Sequence, residues 1–549
     1  MLKKIESENL YLFLLFICIS WILFAPTLFY DFFVLDDQLL ISNNPFLSSP
    51  TPGDLIYYWT HSKSPVFYNF LQIISLIFSN KLAFYFRGLN IILHGLNYAL
   101  AFIIGRTVMQ NMLNYKFNPK LLILSLSICL MHPLNLESII WVSSIRSTLS
   151  TLFALISFYF FLQSQIEHKG SSAFIFASFI LYIISILIKP ATVLLPLLFI
   201  LIILFLKEPQ KRARRVVVFL IPIPALAYLY LGDIINLHLI NDFNFQDRLK
   251  IATGSLVFYL NKIAFPKDLQ ILYGYTPRYW VDNIFYVNIA LVVFIFWLLL
   301  RSLKNSSEKK IFLASTFAVI IFLLPTTGIV PFDFEVLSTV ANRYTYTSLI
   351  FSSFVFYIIL AQFEFRKSQL ACFSVLVLFF YASSKQSKDW QRPSNIFHKS
   401  LLSQKEKKLN YKFVQQAYLA SLIRENSPDK MANFFNSNII NKANIETSEY
   451  LIWLKTLPST TEYIPVIFQI MEYVTSLSVM YSPEDYAFLI RKTLVYNNIR
   501  SATTLHEKLS TYHASHQQLI NSLRVEIIDN ISSRIKNYNE YWNFRNWGK

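Results

Sequence analysis

The chain has 549 residues, 54% apolar and 17% aromatic but only 15% charged, where a soluble protein carries roughly a quarter charged residues. With ten glycines, 51 phenylalanines and a mean hydropathy of +0.43, the composition excludes an ordinary soluble enzyme and points to a polytopic all-α membrane protein. The formal charge is +17, yet the basic residues fall in short clusters between apolar runs, so nucleic acid is excluded as a partner in favour of membrane lipid or phosphate.

In chain order, Lys3 and Lys4 precede a first apolar run that has no small-residue cleavage site after it, which reads as a retained span. Cys18, Cys129 and Cys372 each lie inside apolar runs, so neither a disulfide framework nor a cysteine metal site is implied. A span needs about 20 apolar residues, and the pattern predicts eleven: 10–30, 84–105, 119–133, 140–163, 172–188, 191–206, 215–232, 284–302, 311–325, 344–362 and 367–383. Two shorter apolar stretches, 66–79 and 251–265, read as interfacial or re-entrant helices on the outer face. With the N-terminus in the cytoplasm, the basic clusters at 106–120, 165–170, 207–215, 301–310 and 366–367 all fall on the inner side. Odd parity then puts the C-terminal region outside.

From about residue 384 the charged residues number 35 of 166, against 46 in the first 383, so the sequence leaves the membrane there. Two domains are expected, 1–383 in the membrane and 384–549 as an extracytoplasmic α-helical domain. Segments 413–423, 446–456, 464–477, 483–495 and 516–528 read as amphipathic helices of that domain. They are similar to a degenerate tetratricopeptide array, although no clean 34-residue period is present.

Charge near span ends is costly unless paired or solvated. The outer ends nevertheless carry Asp36, Asp37, Arg87, His94, His132, Glu137, Arg146, Lys189, Asp333, Glu335 and Arg343. Outer cations run against the positive-inside bias. An anionic ligand would account for Arg146, Lys189 and Arg343 together, while any one alone reads equally well as a snorkelling side chain. His94 and His132, taken singly, read first as interior histidines. Asp36 and Asp37 are adjacent carboxylates between apolar flanks, so mutual repulsion raises the pKa of one and suits it to general-base work. HExxH, Gly-rich phosphate-loop and GxSxG patterns are absent from the sequence, leaving zinc hydrolysis, nucleotide hydrolysis and serine-hydrolase chemistry without support.

An Asp36-Asp37 pair after the first span, Phe86-Arg87-Gly88-Leu89-Asn90 followed by Leu93-His94 and Asn97, and His132-Pro133 leading through Glu137 and Trp141 to Arg146 resemble the GT-C glycosyltransferases. The pattern is most similar to the transmembrane and tetratricopeptide-repeat O-mannosyltransferase group and its bacterial relatives, which glycosylate pilins and other exported proteins. Lys189-Pro190-Ala191-Thr192, Tyr259-Leu260 with Pro266 and Leu269, Ala341-Asn342-Arg343-Tyr344-Thr345-Tyr346 and Trp390 continue the resemblance in order across residues 30–390. Asn342 stands where that group has an acidic residue, and Ile188 where Ser is common.

The resemblance implies a GT-C-like bundle in a cell inner membrane, moving a sugar from a polyprenyl-phosphate carrier to a hydroxyl, usually Ser or Thr of an exported protein. It implies Asp36 or Asp37 as the base and Arg146, Lys189 and Arg343 on the donor phosphate. Arg87, His94, His132, Glu137, Trp141, Tyr344 and Tyr346 are then supporting or sugar-binding. No nucleotide cofactor is expected, and a divalent cation at the first-loop carboxylates is left open. Alternatives are a transferase acting on a glycolipid or cell-wall glycan, or a flippase or transporter of lipid-linked sugars. Against the last, polar groups gather at one face and no internal repeat is visible.

Overall fold

A computed structural model describes residues 2–33, 36–37, 41, 44, 47, 57–59, 62, 64–77, 83–166, 171–205, 216–222, 243–283, 286–303, 305–407, 409, 412–425, 427, 429–431, 467, 482–495 and 499–530. The described residues are helical, with no strand among them. The chain divides into two compact units, Met1–Tyr418 and Leu419–Lys549.

The first unit runs through α1 (Leu2–Phe24), α2 (Pro65–Ile77), α3 (Ala83–Arg106), α4 (Pro119–Leu130), α5 (Ile145–Ile166), α6 (Ser171–Ile188), α7 (Leu195–Leu204), α8 (Phe245–Ala264), α9 (Tyr286–Ser302), α10 (Ser306–Leu323), α11 (Tyr346–Leu360), α12 (Phe365–Ser387) and α13 (Pro393–Glu406). Among the described residues six helical stretches are long and apolar enough to cross a bilayer: Leu10–Phe29, Ala83–Met112, Val142–Ile166, Ser171–Ile188, Ser306–Thr326 and Phe365–Gln391. A bent pair, Pro119–Leu130 with Pro133–Ile140, makes a seventh if counted as one span. The expected spans 191–206 and 284–302 take the form of shorter apolar helices, Pro190–Leu204 and Ile289–Ser302. The expected span 344–362 becomes α11, entered through the tight turn Asn342–Thr345. Most of 215–232 lies outside the described residues. Of the two predicted interfacial stretches, most of 66–79 falls in α2 and most of 251–265 in α8, which is not among the helices long and apolar enough to cross a bilayer.

The outward faces are greasy. On α12, Leu370, Phe373 and Val377 are more than half exposed, an arrangement that suits lipid contact and would be costly in water. Inside, close approach replaces bulk. A Cβ added at Gly95 of α3 would come within 2.6 Å of the Ile17 Cα of α1, and beside this contact the Ser20 hydroxyl donates to the Ile91 carbonyl at 2.9 Å. Between α5 and α6 two serine pairs lie seven residues apart on each helix. Ser150 and Ser185 donate to each other's carbonyls at 3.0 and 2.8 Å, and Ser157 and Ser178 do so at 2.8 Å in both directions. Small residues at helical spacing let two backbones meet and satisfy polar atoms that lipid cannot.

Prolines set the breaks that form the site. Pro133 lacks an N–H, and His132 caps the following turn by accepting from the Leu134 N–H at 3.2 Å, so the chain bends by 50° between the halves of the pair. Pro190 biases Lys189 to extended backbone, ending α6 at Ile188. Gly328 (φ +84°) turns the chain after α10; its carbonyl accepts from Arg248 at 3.1 Å, and Arg248 pairs with Glu335 at 2.8 Å. Burial pushes the Glu335 carboxyl up to about 7, against the lowering pull of Arg248.

Composition changes at residue 384, but packing continues. Phe33 holds Trp390 and Phe397 at ring separations of 5.0 and 5.6 Å. Gln404 donates to the Leu272 carbonyl at 2.9 Å and Lys407 to the Tyr275 hydroxyl at 2.8 Å. The predicted boundary at 383/384 therefore falls inside the first compact unit. In the predicted second domain, α14 (Lys412–Arg424), α15 (Pro483–Val495) and α16 (Ile499–Tyr512) form, and residues 517–530 are helical. The predicted helices 446–456 and 464–477 lie outside the described residues, apart from residue 467.

Candidate functional site

The breaks at His132-Pro133, Lys189-Pro190 and Asn342–Thr345 bring three segments together with the residues after α1. Arg343 opens α11 in an aromatic box, its Cζ 4.3 Å from the Phe334 ring centre, 4.9 Å from Tyr344 and 5.2 Å from Trp141. Its Nη1 reaches Glu137 Oε1 at 2.5 Å, with both side chains at least nine-tenths buried. Lys189 donates to the Ser147 hydroxyl at 2.8 Å and lies 5.5 Å from the Tyr344 ring centre. Burial, and then the neighbouring Arg146 and Arg343, hold the Lys189 ammonium well below its usual range; Glu137 opposes them. Lys189 and Arg343 line a narrow cleft together with the hydroxyl-bearing Ser147, Ser150 and Thr192. Arg146, next to Ser147, is about a third exposed and faces Asp36 at 3.9 Å.

The acidic pair splits into two roles. Asp36 is 42% exposed, free to meet a ligand. Asp37 is fully buried, and its carboxylate accepts from the Phe33 N–H at 2.9 Å and the Ser143 N–H at 2.7 Å. Burial pushes the Asp37 carboxyl up to about 6, although those two N–H groups and Arg87 pull it down. Asp37 thus anchors the backbone beside Asp36.

Several predicted site residues are turned inward instead. Arg87 donates to the Ile140 carbonyl at 2.9 Å and to the Tyr30 and Asp31 carbonyls, tying three chain segments together. His94 accepts from the Tyr346 hydroxyl at 2.9 Å and donates to the Leu130 carbonyl at 3.2 Å, while Asn97 donates to Tyr346 at 3.0 Å. His132 donates from Nε2 to the Ile263 carbonyl at 3.1 Å. These assignments follow from the hydrogen-bond network. Arg87, His94, His132 and Tyr346 therefore hold the frame rather than offering polar atoms to a ligand. Asn342 is likewise occupied, accepting from the Tyr273 hydroxyl at 2.7 Å and donating to the Gln270 carbonyl at 2.8 Å. An acidic side chain at position 342 could not make that donation.

Two contributors were not singled out from sequence. Ser147 is the immediate neighbour of Arg146, and Phe334 lies between Asp333 and Glu335; both were adjacent to flagged charges, the one signal available. Among the described residues no three His, Cys, Asp or Glu side chains gather as metal ligands. Comparison with protein-family models, curated proteins and solved structures finds no match to this chain.

Proposed function

We propose that this chain is a membrane glycosyltransferase that takes a sugar from a polyprenyl-phosphate carrier and passes it to a hydroxyl of an exported protein. The observation that carries the reading is that Arg343 and Lys189 line one narrow hydroxyl-bearing cleft, with Arg146 near Lys189 and the exposed carboxylate of Asp36 beside Arg146. Two cations share that buried space with a single buried carboxylate, Glu137, close by. An anion entering it would offset the burial and the Arg146 and Arg343 repulsion that depress Lys189. Phosphate suits the planar, many-donor Arg343.

In the proposed reaction Asp36 takes the acceptor proton as the acceptor oxygen attacks the anomeric carbon. The carbon–oxygen bond to the carrier phosphate breaks, and Arg343 and Lys189 stabilise the charge that develops there. In this reading the bundle has eleven spans, with the site and the C-terminal helices on the extracytoplasmic side of an inner membrane. A helical domain there would offer the concave surface that peptide acceptors use. The test is transfer of radiolabelled sugar from polyprenyl-phospho-sugars in membranes, traced by protease digestion and organic extraction. Protease-sensitive label supports a protein acceptor, label confined to the organic phase moves the reading to a glycolipid, and no transfer removes it.

A further inference from the structure

Asp36 and Arg146 share their partly exposed surface with a third polar side chain, Tyr68 of α2. Tyr68 follows Phe67, whose ring centre lies 6.0 Å from the Arg146 Cζ. Burial has the largest influence on the Tyr68 phenol and raises its pKa, while Arg146 pulls it down and Asp36 pushes it up, so both charges lie close enough to act on this one hydroxyl. Arg146 and Asp36 stand 3.9 Å apart, beyond hydrogen-bond reach, and among the described residues the Tyr68 hydroxyl makes no hydrogen bond. A carboxylate, a guanidinium and a phenol thus lie side by side with their hydrogen-bonding capacity largely unspent. The Tyr68 ring, by contrast, is fixed. It stacks on Tyr58 with ring centres 4.6 Å apart and planes 10° from parallel, and the buried Tyr58 hydroxyl accepts from Asn44 Nδ2 at 3.2 Å. The neighbouring face of α2 is held by Phe67, Leu71 and Ile74, which share a core with Ile41 and Leu47. A hydrogen bond made by a group already ordered in this way costs little further entropy.

The chemistry of the attacking group gives that phenol a task. An alcohol oxygen carries one hydrogen and two lone pairs. In the proposed transfer the hydrogen goes to Asp36 and one lone pair forms the bond to the anomeric carbon. The other lone pair is left over, and a donor placed on it fixes the direction of attack. Arg146 faces Asp36 and Lys189 lines the cation cleft, which leaves Tyr68 as the neutral donor beside the base. A phenol donates without setting a full positive charge against the oxygen that must attack.

We infer that Tyr68 is an acceptor-binding residue, its phenol donating to the acceptor oxygen as Asp36 takes that oxygen's proton, so that the remaining lone pair points at the anomeric carbon. The phenol keeps its own proton, and the carrier phosphate leaves with the electron pair of its carbon–oxygen bond. The inference rests on the transferase reading, and one experiment separates the two. The purified full chain in detergent is given radiolabelled polyprenyl-phospho-sugars and a pool of synthetic peptides containing Ser and Thr, each varied in concentration. Tyr68→Phe, which keeps the stack on Tyr58, should lower kcat/KM for the acceptor about three- to tenfold and leave the donor KM unchanged. A 4-aminophenylalanine at position 68, which restores an N–H donor, should recover most of the loss, whereas 4-methoxyphenylalanine, which keeps the oxygen but cannot donate, should not. That pair carries the test if thermal melting shows that Tyr68→Phe does not fold. An acceptor kcat/KM unchanged in the folded variants, or equal losses on the donor and acceptor sides, overturns the inference and leaves the transferase reading standing. No transfer by the intact chain removes the reading and the inference with it.

Discussion

Asp36 and Asp37 are neighbours in sequence and opposites in environment. Asp37 accepts two backbone N–H groups in a fully buried position, so Asp37→Asn, which turns an amide N–H₂ toward one of those donors, should cost about 1–3 kcal/mol of stability. Asp36 stands partly in solvent beside Arg146, and Asp36→Asn should change stability by no more than about 0.5 kcal/mol while cutting turnover by orders of magnitude. Denaturation and transfer measured on the same two proteins check the split; equal effects on both readouts would contradict it. Lys189 supplies a pH signature. Its ammonium is depressed by burial and by Arg146 and Arg343, whereas a bound phosphate would raise it, so donor binding should take up a proton. Affinity should therefore fall as pH rises from the depressed value in the free protein toward the raised value in the complex. Binding of a polyprenyl phosphate measured across pH, with Lys189→Met as the flat control, gives the sign. The sequence made these charges conspicuous but could not say which way each side chain turns. Arg87 looked as available as Arg343, and only packing reveals that carbonyls of Tyr30, Asp31 and Ile140 already hold it, while His94, read first as an interior histidine, is held by Tyr346 and the Leu130 carbonyl.

Helix ends were more legible than helix partners. The proline after His132 and the proline after Lys189 announce breaks from sequence alone, because each removes a donor and constrains the residue before it. The serine spacing of seven between Ser150 and Ser157, and between Ser178 and Ser185, is visible too, but the pairing of these two helices through it is a property of packing. Gly95 shows the same limit. In the sequence it is one of ten glycines; in the fold it is where α3 meets the backbone of α1, with room for no Cβ. Gly95→Ala should therefore cost about 1–3 kcal/mol, as overpacking does, measured by denaturant or thermal unfolding in detergent. Gly88→Ala on the same helix, where a Cβ would meet only side-chain atoms at 3.7 Å or beyond, should be tolerated.

At the scale of the whole molecule, composition separated a greasy first part from a polar second part, and the fold keeps that contrast while moving the compact division to Tyr418. The reason is aromatic. Trp390 and Phe397 are apolar anchors in a stretch whose average is polar, and a composition window reads the average. Among the described residues six helices meet the length and hydropathy of a span; two further apolar runs form the shorter helices Pro190–Leu204 and Ile289–Ser302, and most of another, 215–232, lies outside the described residues. Charges far apart in sequence meet in the fold: Arg146 faces Asp36, Arg343 pairs with Glu137, and Lys189 lies near Arg146, Arg343 and Glu137. The measurement that tests the account most directly is the rate of sugar transfer from a polyprenyl-phospho-sugar by the full chain, comparing the intact protein with Arg343→Ala, Asp36→Asn and, as a control, Arg491→Ala in a surface ion pair with Glu526. The account predicts transfer by the intact protein and by Arg491→Ala, with at least a hundredfold loss in each of the other two at unchanged melting temperature; full activity in folded Arg343→Ala and Asp36→Asn would contradict it.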